Sequence, residues 1–208
     1  MSKLYIIGAG GHGQVVLDCA RASGFEVDGF LDDSEMFLGS IVNGIEVLGG
    51  VELAKKLDGL FVVAIGDNLS RKGVVEKLNL PKEAFATVIH PSAVLGNNVE
   101  IGHGTMIIGG VVINTQTKIG NHVIVNTMAS LDHHNIIKDY VHVAPGAHTS
   151  GNVYIAEGAF IGIGSSIIPG VTINKWSVVG AGSVVINDVP DFATVVGNPA
   201  RIIKEEIR

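Results

Sequence analysis

From Val88 to Val189 the chain repeats every six residues. Sixteen of seventeen consecutive blocks carry Leu, Ile or Val at their second position, from Ile89 and Leu95 through to Val179 and Val185, with Thr149 the exception. Four residues after each of these sits a small or β-branched residue, from Ala93 to Val189, with Asn135 the one larger polar side chain. A short fixed period marks a solenoid whose repeats stack on one another. Six residues fit neither a 3.6-residue helix nor a long alternating strand, but they fit a short strand plus a turn. One aliphatic side chain per block points inward. The small residue lets the chain bend, and Gly96-Asn97, Gly120-Asn121, Pro145-Gly146 and Pro169-Gly170 supply turns. Three blocks close a triangular coil, and coils stack at about the 4.8 Å spacing of strands.

Residues 1–85 lack the hexad and read as a small α/β domain. Leu4–Ile7 is a strand, Gly8-Ala9-Gly10-Gly11-His12-Gly13 a glycine-rich turn, and Gln14–Ser23 a helix ended by Gly24. Strands over Glu26–Leu31 and Leu60–Ile65 and helices over Val51–Leu57 and Ser70–Leu78 follow. This alternation predicts a parallel, Rossmann-like sheet of about three strands. Its ligand edge lies past the strand C-termini, where the glycine loop, Asp32-Asp33 and Gly66-Asp67-Asn68 fall. Residues 86–189 form the solenoid and 190–208 a C-terminal cap, with a short charged helix expected over 200–208.

Composition narrows the partners. A net charge of −6 without a basic run argues against nucleic acid. The single cysteine, Cys19, has no partner for an internal disulfide and suits a reducing compartment. No 18-residue apolar run is present, so no membrane span is expected, and no secretion signal precedes Leu4. The expectation is a cytoplasmic protein.

A strand, a glycine turn and a helix in that order suggest phosphate binding, since glycines admit close backbone approach and a helix N-terminus favours negative charge. The preferred ligand is the nucleotide part of an activated sugar. Gly10, Gly11, Gly13 and Gly66 would line it, Asp32 or Asp33 would accept hydrogen bonds from base or ribose, and His12 would contact the sugar or its phosphate. A tight turn without ligand is the alternative.

Both departures from the hexad, Asn135 and Thr149, fall in one stretch that also holds Asp132, His133, His134, His142, His148 and Gly151. Local rules fail where chemistry competes with packing. Gly151 follows His133 by one full coil, so the two stack on one corner. His142 lies half a coil on and faces elsewhere on its own subunit; in a three-fold assembly it approaches the same cleft from a neighbour. Acyl transfer needs a base and an oxyanion donor. The His133 imidazole and the Gly151 amide supply them, with Asp132 or Asp139 to hold the ring. His103, His122 and His148 read as solvated turn residues. Zinc ligation by three histidines is a rival, but the spacing of the eight histidines does not favour it, and no metal is expected.

The whole chain resembles the hexapeptide-repeat sugar O- and N-acetyltransferases related to sialic acid O-acetyltransferase and to the bacillosamine and perosamine N-acetyltransferases. The motifs are Ile6-Ile7-Gly8-Ala9-Gly10-Gly11-His12-Gly13, Gly29-Phe30-Leu31-Asp32-Asp33, Ile89-His90-Pro91-Ser92-Ala93, Asp132-His133-His134 with His142, and Val196-Gly197-Asn198-Pro199-Ala200. The resemblance implies a left-handed parallel β-helix, a homotrimer, acetyl-CoA between adjacent solenoids and a nucleotide-activated amino sugar on the N-terminal domain. It implies His133 as general base, His142 as a contact to the acetyl donor and the Gly151 amide as receiver of the thioester carbonyl. Pantetheine would pass Ala147, Ile155 and Gly164; Arg201 and Lys204 would neutralise CoA phosphates or, as the alternative, be solvated charges of the cap. The residue after the base is often acidic in this family, and here it is His134. N-acetylation of a UDP-linked 4-amino-deoxy sugar is the expected reaction. O-acetylation of a sialic acid or similar hydroxyl, a trimeric zinc hydratase and a silent sugar-nucleotide scaffold are the alternatives.

Overall fold

A computed structural model describes residues 3–205. The N-terminal sheet is built on β1 (Leu4–Ile7), all four of whose residues are buried. β2 (Val27–Leu31) and β5 (Leu60–Val63) flank it in parallel. The sheet has five strands rather than three, because β3 (Ile41–Val42) and β4 (Ile45–Gly49) form an antiparallel hairpin beyond β2. Asn43 and Gly44 at its tip both have positive φ (48° and 80°), the conformation that a tight two-residue hairpin turn demands. α1 (Gly11–Ala22) follows β1, and α2 (Asn68–Leu78) follows β5. The helix expected over Val51–Leu57 is a 3₁₀ helix, Val51–Lys56.

The hexads form a parallel β-helix. Each strand from Val88–Ile89 to Ser166–Ile167 pairs with the one 18 residues on, in register, as Val112 with Ser130 and Ile124 with His142. Three sheets result: one from Val94–Leu95 to Val184–Val185, one from Glu100–Ile101 to Thr172–Ile173, and one from Val88–Ile89 to Val178–Val179 and beyond. From Ile101 onward the aliphatic second residues of the strands point into a continuous core, whereas Leu95 in the first coil is exposed. Each coil turns by the same device. Every sixth residue from Asn98 to Gly182 is left-handed, with φ between 54° and 75°, and Gln116, His122, Met128, His134, Tyr140 and Trp176 hold this conformation without being glycine, asparagine or aspartate.

The third sheet is covered by the N-terminal domain. Its outward residues Val88, Met106 and Ile124 are buried in one cluster with Val16, Leu17, Cys19 and Ala20 of α1. Past the hexads, Ala193–Val196 extends this sheet in parallel, and Arg201–Glu205 folds back against it antiparallel. The expected C-terminal helix is therefore a strand; 206–208 lie outside the described residues. The free edge of Ala193–Val196 offers unpaired backbone groups, and β-branched Ile202 and Ile203 suit a strand better than a helix.

Candidate active site

The turn after strand Ser130–Leu131 carries Asp132, His133, His134 and Asn135. Asp132 Oδ1 accepts from the His133 backbone N–H at 2.9 Å and from the Asn114 amide, one coil below, at 2.8 Å. The Asn114 bond foremost, then the His133 one, holds the Asp132 carboxyl below its ordinary range. Asn135 is fully buried; its amide donates to the Asp132 carbonyl and to Thr149 Oγ1 (3.0 Å), and its Oδ1 accepts from the Val153 N–H at 2.8 Å. The two side chains that break the hexad are thus partners, and the buried network they form pins the turn that presents His133.

His133 and His134 are exposed. Their Nδ1 atoms lie 3.0 Å apart with the rings nearly perpendicular. The His133 ring also covers Gly151 with its Nδ1–Cε1–Nε2 side: a Cβ there would fall 2.3 Å from Cε1, 2.6 Å from Nε2 and 2.9 Å from Nδ1. The spacing of one coil therefore does bring the His133 ring and Gly151 to one corner. The Asp132 carboxylate serves the backbone of this turn and not the imidazole. Asp139 accepts from the Asn121 N–H at a different corner.

His142 faces the N-terminal domain instead. It is buried on the third sheet, with Nδ1 donating to the Gly66 carbonyl at 3.0 Å and Nε2 accepting from the Asn126 amide at 3.1 Å. His12 stands 6.1 Å away, ring to ring. Burial foremost, then for each of them the nearby Arg71 guanidinium, lowers both histidines to about 4, so both are neutral at pH 7. A 390 Å³ pocket opens here between Gly66, Asn68, His142, Phe160 and Trp176.

The β5–α2 loop is fastened to the solenoid by two side chains: Arg71, which the sequence did not single out, and Asn68, which it placed at the ligand edge. Arg71, fully buried, donates to the carbonyls of His122 (2.9 Å), Tyr140 (2.8 Å) and Ile65 (2.7 Å). Asn68 donates to Gly158 and Ala159 and accepts from Arg71. His122, Tyr140 and Gly158 stand one coil apart, so Arg71 and Asn68 close three rungs of a single corner. His122, expected in solvent, is buried there between Phe85 and Tyr140, whose ring stacks at 5.4 Å. The domain packed over this corner is what removes it from water.

In the glycine loop, Gly10 and Gly11 face open space, whereas a Cβ on Gly13 would strike the Gly8 carbonyl at 1.9 Å. The first two leave backbone accessible to a ligand; the third lets α1 pack on β1. Asp32 accepts from the Ala9 and Ser34 amides, and Asp33 from the Val51 amide and Lys77. Both carboxylates order the sheet edge by themselves. Ala147 and Ile155 are fully buried in the solenoid core, so a pantetheine arm would meet their backbone only. Gly164 has open space around it, and Arg201 is exposed at the C-terminal end. Among the described residues no three acidic, His or Cys side chains converge as metal ligands, and no helix is long and apolar enough to cross a membrane. Asn114 and Asn126 also escaped the sequence reading. The 18-residue spacing from Asn114 to Asp132 was a usable signal; Asn126 had none.

Residues 3–78 match the PglD N-terminal domain family. The chain is 36% identical over 183 residues to the GDP-perosamine N-acetyltransferase of Escherichia coli O157:H7, covering 84% of this chain and 81% of that one. It is 43% identical over 115 residues to the UDP-N-acetylbacillosamine N-acetyltransferase of Bacillus subtilis (strain 168), about half of each chain. Among solved structures, the acetyltransferase domain of PglB from Neisseria gonorrhoeae FA1090 superposes with a TM-score of 0.90 at 36% identity, over 98% of this chain and 100% of that one. PerB from Caulobacter crescentus, in complex with CoA and GDP-perosamine, superposes with a TM-score of 0.89 at 36% identity, over 98% of each chain.

Proposed function

The chain belongs to the sugar acetyltransferase family, and from that premise we propose how its residues carry out the reaction. It is an acetyl-CoA-dependent N-acetyltransferase of a nucleotide-activated amino sugar, built as an α/β domain followed by a left-handed parallel β-helix. The substrate we assign is a 4-amino-deoxy sugar linked to UDP or GDP, the nucleotides of the two relatives. His133 Nε2 takes the proton of the attacking amine as nitrogen bonds to the thioester carbon. The Gly151 N–H, which makes no hydrogen bond among the described residues, faces the oxygen that becomes negative. When the carbon–sulfur bond breaks, the proton on His133 passes to the departing CoA thiolate. The stacking of the His133 ring on Gly151 carries this reading.

The division of labour follows: residues 1–85 hold the sugar nucleotide through Gly10, Gly11, His12, Gly13 and Gly66, residues 86–189 carry the acyl transfer, and residues 190–205 cap the solenoid. His142 and Gly164 line the path of the acetyl donor, and Arg201 and Lys204 meet its phosphates. His142 and His133 belong to different corners of one chain, so a complete site requires a second chain. A homotrimer supplies it, and exposed Val94, Val112, Ile136 and Tyr154 on the two uncovered sheets are suited to such a contact. We place the reaction in the cytoplasm, a reducing setting consistent with the free thiol of Cys19.

Thiol release from acetyl-CoA, measured against GDP-perosamine, a UDP-4-amino-deoxy sugar, the dTDP analogue and free sialic acid, tests the assignment. Turnover on a nucleotide amino sugar supports it; turnover on sialic acid alone would replace it with O-acetylation. Light scattering that returns a monomer would refute the trimer.

A further inference from the structure

Resting on the assignment of His133 as base, we propose that His134 is its positioning residue: the His133 Nδ1–H donates to the lone pair of His134 Nδ1, which fixes Nε2 as the proton acceptor. At 3.0 Å between two imidazole nitrogens, one Nδ1 carries the hydrogen and the other does not. Chemistry settles the direction. Of the two His133 ring nitrogens, Nε2 lies nearer the Cβ position of Gly151 (2.6 Å against 2.9 Å) and Nδ1 is taken up by His134, so Nε2 is the nitrogen that meets the amine and has to arrive unprotonated. A neutral imidazole left to water favours the opposite tautomer, with its hydrogen on Nε2. Another group must therefore select Nδ1–H, and the nearby carboxylates do not. Asp132 is engaged by the His133 backbone and Asn114, and Asp139 by Asn121.

The bond also survives the reaction. When Nε2 takes the amine proton, the imidazolium keeps its Nδ1–H on His134, which supports the charge without carrying one. The turns packed below and above, residues 114–117 and 150–153, contain no titratable side chain, so Asp132 is the one charged group of this turn and its neighbours. The backbone makes the contact possible. His134 is left-handed at φ 60°, with its N–H on the Thr115 carbonyl, and this places its side chain alongside that of His133.

The test keeps that backbone and changes the acceptor. His134→Gly tolerates the left-handed turn and deletes the lone pair; His134→Asp tolerates it and restores an acceptor. With GDP-perosamine or the amino sugar found to turn over, kcat should fall about 10- to 100-fold in His134→Gly, the usual scale for a partner that orients a working side chain. KM for acetyl-CoA should hold, and His134→Asp should recover to within about threefold of the parent. Two-bond ¹H–¹⁵N spectra of histidine-labelled full-length protein give a readout independent of turnover. They should show His133 as Nδ1–H in the parent and Nε2–H in His134→Gly. A parent His133 with its hydrogen on Nε2 overturns the proposal, as does an equal loss in the Gly and Asp variants or no loss in either. If His133→Ala retains parental turnover, the assignment of the base fails instead, and the spectra still decide the pairing.

Discussion

His122 and His134 occupy equivalent corners of the β-helix, two hexads apart, both left-handed with φ of 54° and 60°. One is sealed between Phe85 and Tyr140 beneath the β5–α2 loop, and burial lowers it to about 4. The other stands in solvent with His133, and the two rings are hydrogen-bonded to each other. The backbone is the same, so the repeat does not decide what a corner histidine does. What packs over the corner does. Where Arg71 and Asn68 close the carbonyls of three coils, imidazoles serve as aromatic packing. Where no domain lies over the coil, an imidazole can meet a substrate, and the turn needs internal support from Asn135 and Thr149.

Breaking the closed corner should have the largest effect. Arg71→Met leaves the carbonyls of His122, Tyr140 and Ile65 without partners, so stability should fall by about 4 kcal/mol. Chemical denaturation measures this, and a loss below about 1 kcal/mol would mean that Arg71 does not hold the domains together. At the open corner, Gly151→Ala forces the exposed His133 ring aside rather than the backbone. Turnover should drop about 100-fold, the cost of an ångström of misplacement at a reacting group. The melting temperature should stay near that of the parent, and a stable variant with full activity would separate His133 from Gly151.

The closed corner and its neighbour also predict a pH dependence. His12, His122 and His142 are lowered to about 4 in the fold against 6.5 unfolded, so the unfolded chain binds more protons between those limits. Stability should be complete above pH 6.5 and decline towards pH 4, by about 1.4 kcal/mol per pH unit for each histidine. Removing one of them, as in His142→Gln, should flatten the slope by its share, and an unchanged slope would contradict its buried neutral state. The smallest effect belongs to the support of the open corner. Thr149→Val removes one acceptor of the Asn135 amide and should cost about 1 kcal/mol with a modest loss of turnover.

The ladders were legible because each aliphatic recurs at an unbroken spacing that three strands and three turns must reproduce. The His133 corner was legible for the converse reason: Asn135 and Thr149 both spoil that spacing. That they bond to each other was not, since a departure from a pattern names a position and not its partner. Arg71 was invisible because its partners are backbone carbonyls, which have no sequence signature, and in a helix it reads as one more solvated charge. His122 was misread for the same reason: its burial comes from Phe85 and the domain above it. The β3–β4 hairpin did carry a signal, Asn43-Gly44 between Ile41-Val42 and Ile45, while the final strand depends on an edge that exists only once Ala193–Val196 has joined the third sheet.

The measurement closest to the central claim is kcat for His133→Ala beside the parent, both saturated with acetyl-CoA and the nucleotide amino sugar that turns over. A general base contributes 10²–10⁴-fold, so the account predicts a loss of about 1,000-fold with unchanged melting temperature and little change in KM. A variant that retains turnover within about tenfold of the parent, well under that contribution, would contradict the assignment of this corner as the catalytic centre.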